Sequence, residues 1–213
     1  MTQIQVAHDY YLNKKYASLE RFISYFYQID AIRKLPAQSI LFIGVGDGLV
    51  ANFIKKGCQV VTMDIDPDLK PDIVGDIRSL PFADKSFDIV CAFEVLEHIP
   101  LTDARLALKE MNRVSISTIL ISVPHRRSGF EVVFKFPFIR TIFRKDFIRL
   151  ALLLPVKFPG FAISGQHYWE IDGWSLSLRH FRNLLRLHFR IISETTPCLD
   201  PYRRFFHLEK KVI

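Results

Sequence analysis

Apolar positions along the chain follow two different periods. "SILFIGV" (39–45) and "QVVTMD" (59–64) are short β-branched runs bounded by turn residues, too brief for buried helices, and they predict strands. "DIV" (72–74), "FDIVCAF" (87–93) and "STILISV" (117–123) predict three more. Between them, 48–57 reads as a helix, as does 103–114, with Ala104, Ala107, Leu108, Met111 and Val114 on one face. Strands alternating with helices imply a parallel sheet with right-handed crossovers. Upstream, residues 8–34 carry Leu19, Phe22, Ile23, Phe26, Ile29 and Ile32 at mostly helical spacing, ending before Pro36. Downstream, Ser177 caps a helix whose Leu178, Phe181, Leu184 and Leu185 face inward. "FRIISETTP" and "RRFFHLEKKV" then predict two strands. The link through Asp200 and Pro201 is too short for a parallel crossover, so this pair is expected antiparallel.

The 213 residues, 49% apolar, suffice for one domain with a full core, and neither a repeat nor a low-complexity tract interrupts them. No window approaches 18 uncharged apolar residues, so no spanning helix is expected, and "MTQIQVAHDYYLNKKY" lacks the layout of a signal peptide. Cys58, Cys91 and Cys198 are widely spaced with no C-x-x-C; they read as buried thiols in a reducing compartment.

Candidate chemistry begins at the first strand–turn–helix. Gly44, Gly46 and Gly48 sit at the carboxyl edge of the expected sheet, where bare backbone lets a ligand approach closely. A dinucleotide site wants G-x-G-x-x-G, but the position after Gly48 is Leu49, and Asp47 would repel a pyrophosphate. A ligand with adenosine, no phosphates and a positive centre suits both departures; S-adenosylmethionine is such a ligand. Asp64 ends the second strand, where a carboxylate accepts both ribose hydroxyls. Asp76 ends the third and is placed for the adenine amino group, with Ile65 and Ile77 flanking the ring.

"ILFIGVGDG", "VTMDIDP", "GDIRSLPFADKSFDIVCAFEVLEHI" and "ILISVP" together resemble successive motifs of the class I S-adenosylmethionine-dependent methyltransferases, in their small-molecule, type 11-like branch, over about residues 38–125. The resemblance implies a Rossmann-like α/β fold with a seven-stranded sheet of order 3-2-1-4-5-7-6, the last strand antiparallel. It implies that Gly44, Val45, Gly46 and Gly48 line the cofactor and Asp64 holds the ribose. Asp76 and Ile77 would hold adenine, and Phe93 and Glu94 would border the methionine end. The product would be S-adenosylhomocysteine. One departure is Phe42, where the family usually has an acid; Asp47 or Glu94 is expected to substitute.

Methyl transfer needs a positioned nucleophile, and a base only when the acceptor must lose a proton. His125, just past strand five, and His167, in "GQHYWEID" beside Tyr168 and Glu170, are the catalytic candidates. His98 reads as structural. No metal is expected.

Charge alters the picture in one place. Of the formal +7, nearly all lies between Arg126 and Lys157, with eight basic and two acidic residues, and eight phenylalanines fall between Phe130 and Phe161. "FIRTIFRKDFIRLALLL" (138–154) separates an apolar stripe from a basic one when wound as a helix. It is therefore expected as a helical lid over the substrate opening, suited to an anionic membrane. Phenylalanines inside an apolar stripe weigh against nucleic acid, whose binders space aromatics among exposed basic groups.

The expected organisation is one domain over 1–213. It has a helical segment (1–37), a cofactor-binding half (38–125), the basic Phe-rich insertion (126–165) and a C-terminal helix and β-hairpin (166–213). The acceptor is expected to be a small molecule, lipid- or glycan-linked, met in the cytoplasm or on the inner membrane face. The alternatives are an RNA methyltransferase docking through the basic segment and a module that has lost cofactor use.

Overall fold

The computed structural model describes residues 10–11, 16–126, 128–144, 146–154, 166–172 and 176–211. Seven strands form one sheet: β1 (Ser39–Ile43), β2 (Gln59–Asp64), β3 (Ile73–Val74), β4 (Phe87–Phe93), β5 (Ser115–Pro124), β8 (Phe189–Thr195) and β9 (Arg203–Lys210). Their order is β3-β2-β1-β4-β5-β9-β8. The first five are parallel, β9 runs antiparallel to β5, and β8 and β9 pair as the expected antiparallel hairpin. This is the order expected from the sequence, with β9 as the seventh strand of the fold.

Helix α1 (Leu19–Arg33) packs on one face of the sheet with α2 (Leu49–Ile54), while α3 (Leu101–Val114) and α5 (Leu178–Arg186) cover the other. On α3 the buried residues are Ala104, Ala107, Leu108, Met111 and Val114, the face expected from the spacing. In α5, Phe181, Leu184 and Leu185 are buried, and the Ser177 side chain accepts the His180 N–H at the cap. The sheet's Leu41, Met63, Val90 and Ile121 meet these helices in a continuous core.

One helix forms where expected but buries a face the sequence did not point out, and one expectation fails. Helix α1 buries Ser24, Tyr25, Gln28 and Ile32, while Leu19, Phe22 and Phe26 are exposed. The helix packs beside a cavity, and its Arg21, Tyr25 and Gln28 side chains help to line it.

The failed expectation concerns the basic insertion, which is not one long amphipathic helix. Strand β6 (Ser128–Phe134) and strand β7 (Ile148–Leu154) form an antiparallel hairpin, with the short helix α4 (Ile139–Phe143) at its tip. The sequence in both arms alternates: Phe130, Val132 and Phe134 lie opposite Leu152, Leu150 and Ile148, so all six share one face. That period of two fits a strand, and Pro137 prevents the arms from joining through one continuous helix. On the other face, Arg149 pairs with Glu131 at 2.6 Å and donates to the Thr196 carbonyl at 2.8 Å. The remainder of the insertion, 155–165, lies outside the described residues.

The two faces of α1 and α3 predict opposite mutational responses. Met111→Ala, in a site with no solvent exposure, should cost about 2–5 kcal/mol, whereas Phe22→Ser, 52% exposed, should change stability by about 0.5 kcal/mol or less. Urea midpoints at unchanged slope measure both.

Candidate active site

Strands β1 and β4 are neighbours, yet the chain leaves β1 toward β2 and leaves β4 toward β5. Their carboxyl ends therefore part, which is where ligands bind in such sheets. A cavity of about 400 Å³ lies there, lined by both loops and by α1.

One wall is the turn after β1. Gly44, Gly46 and Gly48 all have positive φ, at 84°, 57° and 76°. A Cβ on Gly44 would collide with Val95 Cγ2, so only glycine lets the two loops approach. A Cβ on Gly46 would stand 3.6 Å from both Tyr11 Cε1 and Tyr16 Oη, which cover the turn from the N-terminal side.

The acids behind this wall are already engaged. Asp64 accepts the Val45 N–H at 2.7 Å and the Asp66 N–H at 3.0 Å, fastening the turn to the end of β2. Burial nevertheless raises its pKa, with those N–H groups acting in the opposite direction. Asp76 is gripped by Arg78, whose Nη2 reaches Oδ2 at 2.6 Å, and this pair holds the carboxyl below its usual range. Asp47 accepts from Tyr25 Oη at 2.7 Å. Phe42 is 3% exposed and packs against Phe93, so it brings no charge to the site.

The opposite wall is the turn after β4. Glu94 adopts φ 55°, a strained value for a side-chain-bearing residue. It is held there by its N–H to the Ser122 carbonyl at 3.0 Å, by Ser122 Oγ donating to Oε1 at 2.8 Å, and by Arg203 at 3.3 Å. A 3-10 turn over Leu96–His98 follows and is zipped to the distant segment 166–172. Tyr168 N–H donates to Glu97 O at 2.8 Å, His98 Nδ1 to Gln166 O at 2.8 Å, and Trp169 Nε1 to Ile99 O at 3.0 Å. This seam carries His167 to the cavity. His167 Nδ1 meets Glu170 Oε1 at 2.9 Å, and the same oxygen accepts Tyr202 Oη at 2.7 Å. Burial alone would raise Glu170, but these two bonds outweigh it and hold its pKa down.

Of the residues singled out by sequence, Gly44, Val45, Gly46, Asp64, Ile65, Asp76, Ile77, Phe93, Glu94 and His167 line this cavity. Gly48 instead caps α2 from behind the turn. His125 is not among the lining residues: it is fully buried, with Nε2 at 2.8 Å from Asp172, in the joint between β5 and the 166–172 segment. Sequence reasoning missed Tyr11, Tyr16, Arg21, Tyr25 and Gln28, all in the lining, where His98, read there as structural, also lies. The signal on α1 was legible: Arg21, Tyr25 and Gln28 recur at helical spacing on one face.

Residues 41–118 match a family model described as a methyltransferase domain. A curated demethylmenaquinone methyltransferase of Renibacterium salmoninarum is 33% identical over 98 residues, covering 41% of this chain and 40% of that enzyme. The likeness thus spans well under half the length of that relative. Among solved structures, a Pyrococcus horikoshii protein superposes with a TM-score of 0.61 at 16% identity, over 97% of this chain and 100% of that one. A Burkholderia thailandensis 1,6-didemethyltoxoflavin-N1-methyltransferase, with its substrate and S-adenosylhomocysteine bound, gives 0.57 at 15% identity, over 91% of this chain and 78% of that one. The fold is that of the class I S-adenosylmethionine-dependent methyltransferases.

Glu97 supplies a test of the site's electrostatics. Its carboxyl has no exposure, and neither oxygen has a hydrogen-bond partner among the described residues. Burial raises its pKa well above the usual 4.5, and the Glu94 carboxylate adds to this, opposed by the dipole of its own backbone N–H and then by Arg203. Above the unfolded value the folded chain holds a proton that the unfolded chain has lost, so stability falls as pH rises toward the folded value. In buffers freed of divalent ions, Glu97→Gln should remove that slope. Its stability advantage over the parent should grow by up to about tenfold in folding equilibrium constant per pH unit above roughly 4.5. Denaturation at a series of pH values reads the difference.

Proposed function

We propose that this chain is an S-adenosylmethionine-dependent methyltransferase whose acceptor is a small, lipid-linked molecule met at an anionic membrane surface. The observation that carries the first part is the glycine turn fastened to Asp64 at the parting of β1 and β4. It is a cradle that a Cβ would fill, backed by a carboxylate placed for ribose hydroxyls. When bound, the cofactor supplies an electrophilic methyl group on a sulfonium. Asp64 would hold the ribose, Ile65 and Ile77 would flank adenine, and Asp76, kept ionised by Arg78, would meet its amino edge. With Phe42 apolar, Asp47 stands nearest the turn to receive an ammonium group, and Arg21 in the lining to receive a carboxylate. Tyr11 and Tyr16 would close the near side against water, leaving the wall of His98 and His167 to the acceptor. The cavity's 400 Å³ falls in the range of small-molecule sites, about 300–1,000 Å³.

The lipid surface is argued from the hairpin. Phe130, Val132, Phe134, Leu150 and Leu152 on its outer face are 45–67% exposed, and Phe138 and Ile142 at the tip 75% and 67%. Lys135, Arg140 and Arg144 stand exposed around them. Leu19, Phe22 and Phe26 of α1 are exposed as well, and α1 and the hairpin bond the same turn: Tyr27 Oη accepts the Cys198 N–H and Glu131 the Leu199 N–H. Apolar residues ringed by basic ones match an anionic bilayer. No helix among the described residues is long and apolar enough to cross one.

S-adenosylhomocysteine should raise the melting temperature, by an amount equivalent to about 2.7 kcal/mol at a hundredfold excess over Kd. Asp64→Ala should weaken binding at least tenfold with the fold intact. No shift at millimolar ligand would overturn the cofactor reading in favour of a module that no longer uses it. Separately, the protein should sediment with anionic vesicles, retain part of that binding at high salt, and lose most of it in Phe138→Ser/Leu150→Ser. Tight, salt-sensitive RNA binding without vesicle binding would favour a nucleic-acid acceptor instead.

A further inference from the structure

The turn after β4 and the returning 166–172 segment bring Glu97, His98 and His167 together, and one ligand atom from each lies within 4.8 Å of the others. Three details make this more than a meeting of polar groups. First, both histidines are fixed in the same tautomer. The Gln166 carbonyl and the Glu170 carboxylate can only accept, so each ring donates from Nδ1 and the tautomer that suits this bond carries its lone pair on Nε2. An Nδ1–H held by a carbonyl or carboxylate is the support that metal-ligating histidines have. Second, Glu97 is wholly buried and neither of its oxygens has a hydrogen-bond partner among the described residues, although Tyr168 takes its backbone carbonyl. A buried carboxyl left so costs stability unless a cation meets it. Third, His98 and His167 line the cavity, so an ion held here would face the acceptor side of the site.

We propose that Glu97, His98 and His167 bind a divalent first-row transition cation at the cavity wall. Two imidazoles and one carboxylate suit zinc, manganese, iron(II) or cobalt(II), and are a poor set for calcium or magnesium, which take oxygen ligands. Ligands at about 2.1 Å from one ion stand roughly 3–4 Å apart, so binding would draw these atoms, now within 4.8 Å of one another, closer together. Glu94 is not part of the set: its two oxygens are taken up by Ser122 and Arg203.

Three protein ligands leave positions open toward the cavity, and these fit an oxygen-bearing acceptor. This part deepens the methyltransferase reading and rests on it; the binding of the ion does not. A hydroxyl coordinated there would lose its proton to solvent at lower pH than in water. Its oxygen lone pair would then form the bond to the methyl carbon as the carbon–sulfur bond breaks with its electrons to sulfur. The acceptor class is therefore a phenol, enol or other hydroxyl compound rather than an amine.

The test uses the full chain stripped with a chelator and titrated with Co²⁺. The expected result is one equivalent bound at micromolar affinity with visible absorption bands of a nitrogen-containing site, and a rise in melting temperature. Zn²⁺ or Mn²⁺ should compete and millimolar Mg²⁺ should not. Glu97→Gln and His167→Gln should each weaken binding at least tenfold; melting and S-adenosylhomocysteine binding report whether each variant is folded. Should one not fold, the other carries the test, and displacement of Co²⁺ by Zn²⁺ in the parent provides a measurement free of variants. Absence of binding up to millimolar Co²⁺, or unchanged binding in a folded variant, would overturn the site. If Co²⁺ binds but S-adenosylhomocysteine does not, the metal site stands and the methyltransferase reading falls.

Discussion

The parting of β1 and β4 at their carboxyl ends is the constraint on which the rest depends. Because β1 continues to one side and β4 to the other, no crossover helix covers the gap between them. Two loops must meet there at close range, and Gly44 is the residue that permits it, since any side chain would run into Val95. The strain of Glu94 at positive φ belongs to the same junction and is held by Ser122 on the neighbouring strand. Cradle and opposing wall are thus two consequences of one topological fact.

Around that gap the chain reverses some ordinary preferences. Helix α1 turns Ser24, Tyr25 and Gln28 inward and leaves Phe22 and Phe26 in solvent. Arg21, Tyr25 and Gln28 help to line the cavity, and the apolar face becomes surface. The hairpin of β6 and β7 repeats the pattern, with its Glu131–Arg149 pair against the body and its aliphatic and aromatic face outward. The exposed apolar residues of the hairpin are what the proposed lipid contact rests on.

The 166–172 segment shows how a distant stretch enters a site. It is neither helix nor regular strand, and three hydrogen bonds to residues 97–99 fix it. His167 acquires meaning only through that seam, because Glu170 and Tyr202 then set its tautomer beside His98 and Glu97. The same segment removes His125 from the cavity by drawing it against Asp172.

Short apolar runs determined the central strands, which are buried on both faces, and helical spacing determined α3, which buries one face against the same core. The glycine turn and the strand-end acids were legible for a related reason, since their roles follow from backbone conformation and position at a strand terminus. What the tertiary structure alone decided was wherever the facing surface was not the core. The inward face of α1 helps to line a cavity, and the basic insertion took the period of its strand partner over that of an isolated helix. The meeting of Glu97 and His98 with His167 followed a seam between segments almost seventy residues apart. No spacing rule encodes that last contact, because each of its three bonds ends on a backbone carbonyl, which every residue carries alike.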